Sequence, residues 1–143
     1  MSRQIIVGNW KMNGTTRDSK ALVQAISGGV KAEGPDVVIC PPFTQLSLAA
    51  SQLEGTSVRL GAQDCHKAAS GAYTGDISPA MLTDLGVSHV ILGHSERRQG
   101  HGELDETVRE KAVAAAKAGL TPVVCIGETE DQRESGDHFD VLG

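Results

Sequence analysis

Four groups of polar side chains each follow a short apolar run and could take part in small-molecule chemistry. Asn9, Trp10, Lys11 and Asn13 follow Ile5-Ile6-Val7, and Gln63, Asp64 and His66 follow Val58-Arg59-Leu60. Gly93-His94-Ser95-Glu96-Arg97-Arg98 follows Val90-Ile91-Leu92, and Gly127-Glu128 follows Val123-Val124-Cys125-Ile126. His94 directly precedes residues that could open a short helix. The positive end of a helix disfavours imidazolium and leaves a neutral ring able to donate a hydrogen bond, for example to a carbonyl. Lys11 adds a fixed positive charge and Asn9 a neutral donor, a pair suited to a phosphorylated or enolate-bearing small molecule. Polar residues are ordinary in loops, so it is their recurrence at four strand ends that marks a candidate site.

The elements that must position these residues alternate along the chain. The apolar runs begin at 5, 37, 58, 90 and 123, so successive starts lie 32, 21, 32 and 33 residues apart. Apart from Val58-Arg59-Leu60 they show little polar alternation and read as strands buried on both faces, as in parallel sheets. Helical stripes fill the intervals: Leu22, Ile26 and Val30 after Thr15 and Thr16; Leu46, Ala50 and Leu53 after Thr44; and Leu104, Val108, Ala112 and Ala116 ahead of Gly119, a natural helix-terminating residue. Asp105, Glu106, Arg109, Glu110 and Lys117 mark the solvent face of the last stripe. The expected architecture is therefore α/β, with five parallel strands, flanking helices, and loops converging at the strands' carboxyl ends. Gln63 to Ser78 is the longest irregular stretch, and loops of that length inside a domain tend to be functional or interfacial.

Charge and cysteine usage narrow the function. The net charge of −5 argues against a nucleic-acid or anionic-membrane binder. No apolar stretch is long enough to span a bilayer, and Met1-Ser2-Arg3-Gln4 leads straight into a strand-like run, leaving no room for a signal peptide. Cys40, Cys65 and Cys125 are odd in number and far apart, which suits a reducing, cytoplasmic setting rather than a disulfide framework. A metal centre is the rival chemistry, since His89, His94, His101, Glu96 and Glu103 crowd together and Cys65 adjoins His66. None of them has the HExxH or CxxC spacing that aims ligands at one ion. No GxGxxG or GxxxxGK[ST] cradle for a nucleotide is present.

The chain closely resembles the triosephosphate isomerase family. The resemblance runs from Ile6-Val7-Gly8-Asn9-Trp10-Lys11-Met12-Asn13 through Ile39-Cys40-Pro41-Pro42-Phe43 and Gly61-Ala62-Gln63-Asp64. It continues in Gly71-Ala72-Tyr73-Thr74-Gly75-Asp76-Ile77-Ser78, Ile91-Leu92-Gly93-His94-Ser95-Glu96-Arg97-Arg98 and Pro122-Val123-Val124-Cys125-Ile126-Gly127-Glu128. It implies a TIM (β/α)8-barrel fold and interconversion of glyceraldehyde 3-phosphate and dihydroxyacetone phosphate through an enediolate. The family's neutral histidine electrophile would be His94. Lys11 would stabilise phosphate and oxyanion charge, Asn9 would position substrate, and Glu96 would steady Lys11. Ser95 matches a hydroxyl that contacts the family's glutamate base, Thr74 lies where a long loop enters a neighbouring subunit, and Cys125 matches a structural cysteine. The chemistry is proton transfer without cofactor or metal, in an enzyme that is a homodimer in the family.

A complete barrel of this kind takes roughly 250 residues, so 143 residues make about four and a half units. Residues 1–143 are therefore expected to form a single partial barrel domain that stops within its fifth helix, over Glu130 to Phe139. The glutamate base, the hinged lid and the late phosphate-gripping loops of the family are expected beyond this stretch. On this basis the 143-residue polypeptide should have negligible activity alone. It should self-associate or require a complementary fragment, because two strand edges and the barrel-facing side chains of Val7, Ile39, Leu60 or their neighbours lose their partners. The alternative is a non-catalytic half-barrel that serves binding or assembly.

Overall fold

The computed structural model describes residues 4–31 and 33–126. Five strands, β1 (Ile5–Asn9), β2 (Asp36–Cys40), β3 (Arg59–Ala62), β4 (His89–Leu92) and β5 (Thr121–Val124), lie in the order β1-β2-β3-β4-β5. All four pairings are parallel, with Ile5 opposite Asp36 at one edge and Leu92 opposite Val124 at the other. The sheet curls into half a barrel. Helices α1 (Thr16–Gly29), α2 (Leu46–Gln52), α3 (Pro79–Asp84), α4 (Ser95–His101) and α5 (Asp105–Lys117) occupy the connections, and a 3-10 turn over Phe43–Gln45 leads into α2. Residues 63–78 form an irregular loop. The helix expected over Glu130 to Phe139 and the Gly127-Glu128 pair lie outside the described residues.

Alternation along the strands sorts their side chains between two cores. Ile39, Leu60, Ala62, Val90 and Leu92 face the helices and pack with Val23, Leu46, Leu82, Val108 and Ala115. Val38, Cys40 and Ile91 form a separate concave cluster with Val7 and Cys125. This corrects the expected facing: Ile39 and Leu60 point outward to the helices, and their neighbour Val38 lines the concave side. A one-residue change of parity moves a side chain across the sheet, and strands apolar on both faces do not reveal which face is which. Gly61 serves the concave side by its absence of a side chain, since a Cβ there would come within 2.5 Å of Cys40 Sγ.

The helical stripes are displaced from their expected lines. In α1 the buried residues are Ser19 and Val23, while Leu22 is 46% exposed. In α5 they are Val108, Lys111 and Ala115, with Leu104 68% exposed. The apolar positions of both helices are sparse enough that neighbouring registers compete, and packing against the sheet selects one. Two ends match the sequence reading closely. Thr15 is the N-cap of α1, and Gly119 follows α5 with φ +92°. Helix α3 carries its own start signal, because Ser78 Oγ accepts from Met81 N at 3.3 Å and Pro79 opens the first turn.

Candidate active site at the carboxyl ends of the strands

Lys11 stands two residues past the end of β1 in the left-handed region, at φ +57°. A non-glycine residue in that region needs outside support. The Asn9 side chain supplies part of it, its Oδ1 accepting Lys11 N–H at 2.9 Å. Gln63, at the end of β3, donates its Nε2 to the carbonyls of both Lys11 and Cys40, each at 2.8 Å. Trp10 N–H bonds Cys40 O at 3.1 Å, so β1 stays tied to β2 until the loop turns away. Because the Asn9 oxygen is committed to Lys11, the donor that Asn9 offers a ligand is its Nδ2.

His94 follows β4 across Gly93 and is the N-cap of α4. Its Nδ1 accepts the Glu96 amide at 3.1 Å. A ring nitrogen that accepts an N–H cannot carry a proton itself, so the neutral ring bears its proton on Nε2. Glu96 Oε1 also lies 3.4 Å from Nδ1. With the Nδ1 lone pair given to the amide, this contact is proximity rather than an ion pair. The ion pair of Glu96 is with Lys11, Oε2 to Nζ at 2.9 Å, both side chains about half exposed. The hydrogen bond from Lys11 holds the Glu96 carboxyl below its ordinary range. Lys11, Asn9, Glu96 and His94 therefore converge from β1 and β4 although they are some 85 residues apart in sequence.

Two other expected residues sit differently. Ser95 is half-buried as the first residue of α4. Thr74 stands away from the group, on the exposed tip of the 63–78 loop, where His66 and Tyr73 stack with ring centroids 4.1 Å apart. Burial pushes the Cys40 and Cys65 thiols up to about 12 and makes both inert. Among the described residues no three His, Cys, Asp or Glu side chains are grouped to hold a metal ion. No described helix is long and apolar enough to cross a membrane.

Sequence reasoning missed a buried ion network behind His94. Lys111 Nζ bonds Glu103 Oε2 at 2.6 Å and Asp64 Oδ1 at 3.0 Å, and Arg97 Nε lies 3.2 Å from both carboxylates. The network joins the loop after β3, helix α4, the α4–α5 turn and α5. Burial alone would raise the Glu103 carboxyl, but hydrogen bonds and charge from Lys111 and Arg97 outweigh it and hold it low. Burial likewise opposes the Lys111 ammonium, and Glu103 and Asp64 raise it above its ordinary value. The available signal was a lysine three residues after Val108 and four before Ala115, on the inward line of α5.

The comparisons with known proteins agree with this geometry. Residues 4–143 match the family model for triosephosphate isomerase. A triosephosphate isomerase of Gluconacetobacter diazotrophicus is 62% identical over 143 residues, covering 99% of this chain and 58% of the relative. One from Granulibacter bethesdensis is 54% identical, over 99% of this chain and 57% of the relative. The crystal structure of triosephosphate isomerase from Bartonella henselae superposes with a TM-score of 0.86 at 47% identity, over 98% of this chain and 58% of that one. The chain thus spans somewhat under three-fifths of the length of these relatives, and over that span, in sequence and in fold, it belongs to the triosephosphate isomerase family.

Proposed function

We propose that this chain carries the lysine and histidine half of a triosephosphate isomerase site. Its substrate is a small phosphorylated triose, and the reaction moves protons between adjacent carbons through an enediolate. Lys11 neutralises phosphate and developing oxyanion charge, held by Glu96. Asn9 offers Nδ2 to the substrate. The Nε2–H of His94 polarises the carbonyl and exchanges a proton with the enediolate oxygens. The base that takes the carbon-bound proton comes from elsewhere, so the 143 residues alone turn over negligibly; losing a general base costs about 10²–10⁴ in rate. Thr74 on its exposed loop reaches a second subunit in a homodimer, and three cysteines far apart in sequence suit a reducing cytoplasm.

The observation that carries this reading is the orientation of His94 by the Glu96 amide while the Glu96 carboxylate grips Lys11. One residue thereby sets both reactive groups. Mixing the chain with the C-terminal remainder of a relative and assaying isomerisation in a coupled assay tests it. Recovered activity should vanish in His94→Gln and in Lys11→Ala, and recovery that survives both changes rejects the assignment. A second reading, a non-catalytic half-barrel for binding or assembly, draws on the exposed Ile5 and Ile6 of β1, 48% and 54% accessible. Complementation that assembles fully yet shows no turnover would favour it.

A further inference from the structure

The ladder between β4 and β5 ends one residue past Leu92 and Val124, where Cys125 N–H bonds Leu92 O at 2.9 Å. The next carbonyls, Gly93 O and Cys125 O, both point at a single side chain. Arg98 donates Nε–H to Gly93 O at 2.7 Å and an Nη2–H to Cys125 O at 2.9 Å. Its Nη1 pairs with the Asp105 carboxylate in the first turn of α5. Its backbone N–H bonds His94 O at 3.1 Å. Arg98 therefore grips the carbonyl on each side of the His94 α-carbon, Gly93 O with its side chain and His94 O with its main chain. Its guanidinium also supplies the missing rung between β4 and β5. Gly93 is shaped to receive it, since a Cβ at that position would lie 2.8 Å from Nη2.

We propose that Arg98 is the positioning residue for His94. It locks the end of β4 to β5 and to α5, so that the first turn of α4 brings the Glu96 amide onto Nδ1 and keeps the proton on Nε2. The proposal deepens the reading of His94 as a neutral donor and rests on it. A planar fork of N–H groups meets three acceptors on three elements at fixed angles and from three separate nitrogens; an ammonium carries its donors on a single atom and lacks both that span and those angles.

Magic-angle-spinning 15N NMR of the histidine-labelled chain tests this, because it reads the imidazole whatever the size of the assembly. In the unaltered protein His94, assigned by its loss in His94→Gln, should show the Nε2–H tautomer alone. In Arg98→Lys the preference should fall by about tenfold, the scale of one net hydrogen bond, and a second tautomer should appear. His66, whose Nδ1 accepts Ala68 N–H, and His89, whose Nδ1 lies 2.7 Å from Ser88 Oγ, are the internal controls and should not move. An unchanged His94 in folded Arg98→Lys overturns the proposal, as does an equal change in all three rings. If the variant does not fold, the unaltered protein decides. The Arg98 Nε–H should exchange with solvent at least about tenfold more slowly than that of an exposed arginine such as Arg109, and equal rates overturn the proposal. A wild-type His94 protonated on Nδ1 would instead remove the reading of Nε2–H as the donor, and with it the stated purpose of the clamp.

Discussion

His94 and Lys11 meet at Glu96, yet the two regions that deliver them are held in opposite ways. His94 leaves β4, a strand paired on both sides, whose Val90, Ile91 and Leu92 are buried. Behind it lie the Asp64–Arg97–Glu103–Lys111 network and the Arg98 clamp. Lys11 leaves β1, which among the described residues pairs only with β2. Its Ile5 and Ile6 are about half exposed, and Met12 beside Lys11 is 95% exposed. The Lys11 side is held by three neutral hydrogen bonds, one accepted by Asn9 and two donated by Gln63, and the His94 side by charge and packing. An edge strand has fewer neighbours from which to borrow rigidity. Pre-organisation of the lysine therefore depends directly on β1 being covered, whereas the histidine stands one strand in from the other edge, β5.

The largest test of this contrast is the behaviour of the 143-residue polypeptide itself. Covering about 400 Å² of apolar surface is worth on the order of 10 kcal/mol, comparable to the stability of a whole domain. We expect light scattering over a concentration series to report masses above the monomer, and amide exchange to run faster in β1 than in β3 and β4. A monodisperse monomer with β1 as protected as β3 would erase the difference between the two regions. Next in size is Lys111→Met, which leaves two buried carboxylates sharing Arg97 as their one cation. It should lower stability by about 3–5 kcal/mol in urea unfolding, and a loss below about 1 kcal/mol would show that the network does not stiffen the His94 side.

Titration should sharpen the same point. The Lys111 ammonium titrates above its unfolded value of 10.5, so its contribution is complete below pH 10.5 and fades as pH rises through the folded value. The Glu103 carboxyl titrates below 4.5, so its contribution is complete above pH 4.5 and fades as pH falls. Burial holds the Asp64 carboxyl above 3.8, so it works against Glu103 at the acid end. Stability measured against pH should drop at the alkaline end, and Lys111→Met should flatten that limb. An alkaline limb as steep in the variant as in the parent would assign that loss to other groups. Smallest is Glu96→Gln. The Lys11–Glu96 pair is half exposed, and its removal should change stability by less than about 1 kcal/mol. A larger loss would mean that the lysine side is better buttressed than its exposure implies.

Much of the site was legible because its residues abut their strands. Asn9 and Lys11 follow Ile5-Ile6-Val7, and His94 to Glu96 follow Val90-Ile91-Leu92, so parallel pairing alone puts all of them at one end of the sheet. The buttresses were not legible. Gln63 and Arg98 stand within the polar groups at strand ends without a buttressing role, and Lys111 draws no notice, because their partners lie 52, 27 and 47 positions away. Leu22 and Leu104 read as core and are exposed, because a sparse helical stripe does not specify its own rotation.

By itself, the sequence determined the five strands, their parallel order, the helix ends at Thr15 and Gly119, and the end of the sheet where the polar residues collect. Those features follow from local periodicity, from turn chemistry and from the length of each connection. Only the tertiary structure decided which face of each strand looks inward, which line of each helix is buried, which nitrogen of His94 accepts, and which cations stand behind it. Each of those depends on atoms brought together from distant parts of the chain. A charge or a lone pair acquires its role from the partner across the fold, and no local pattern names that partner.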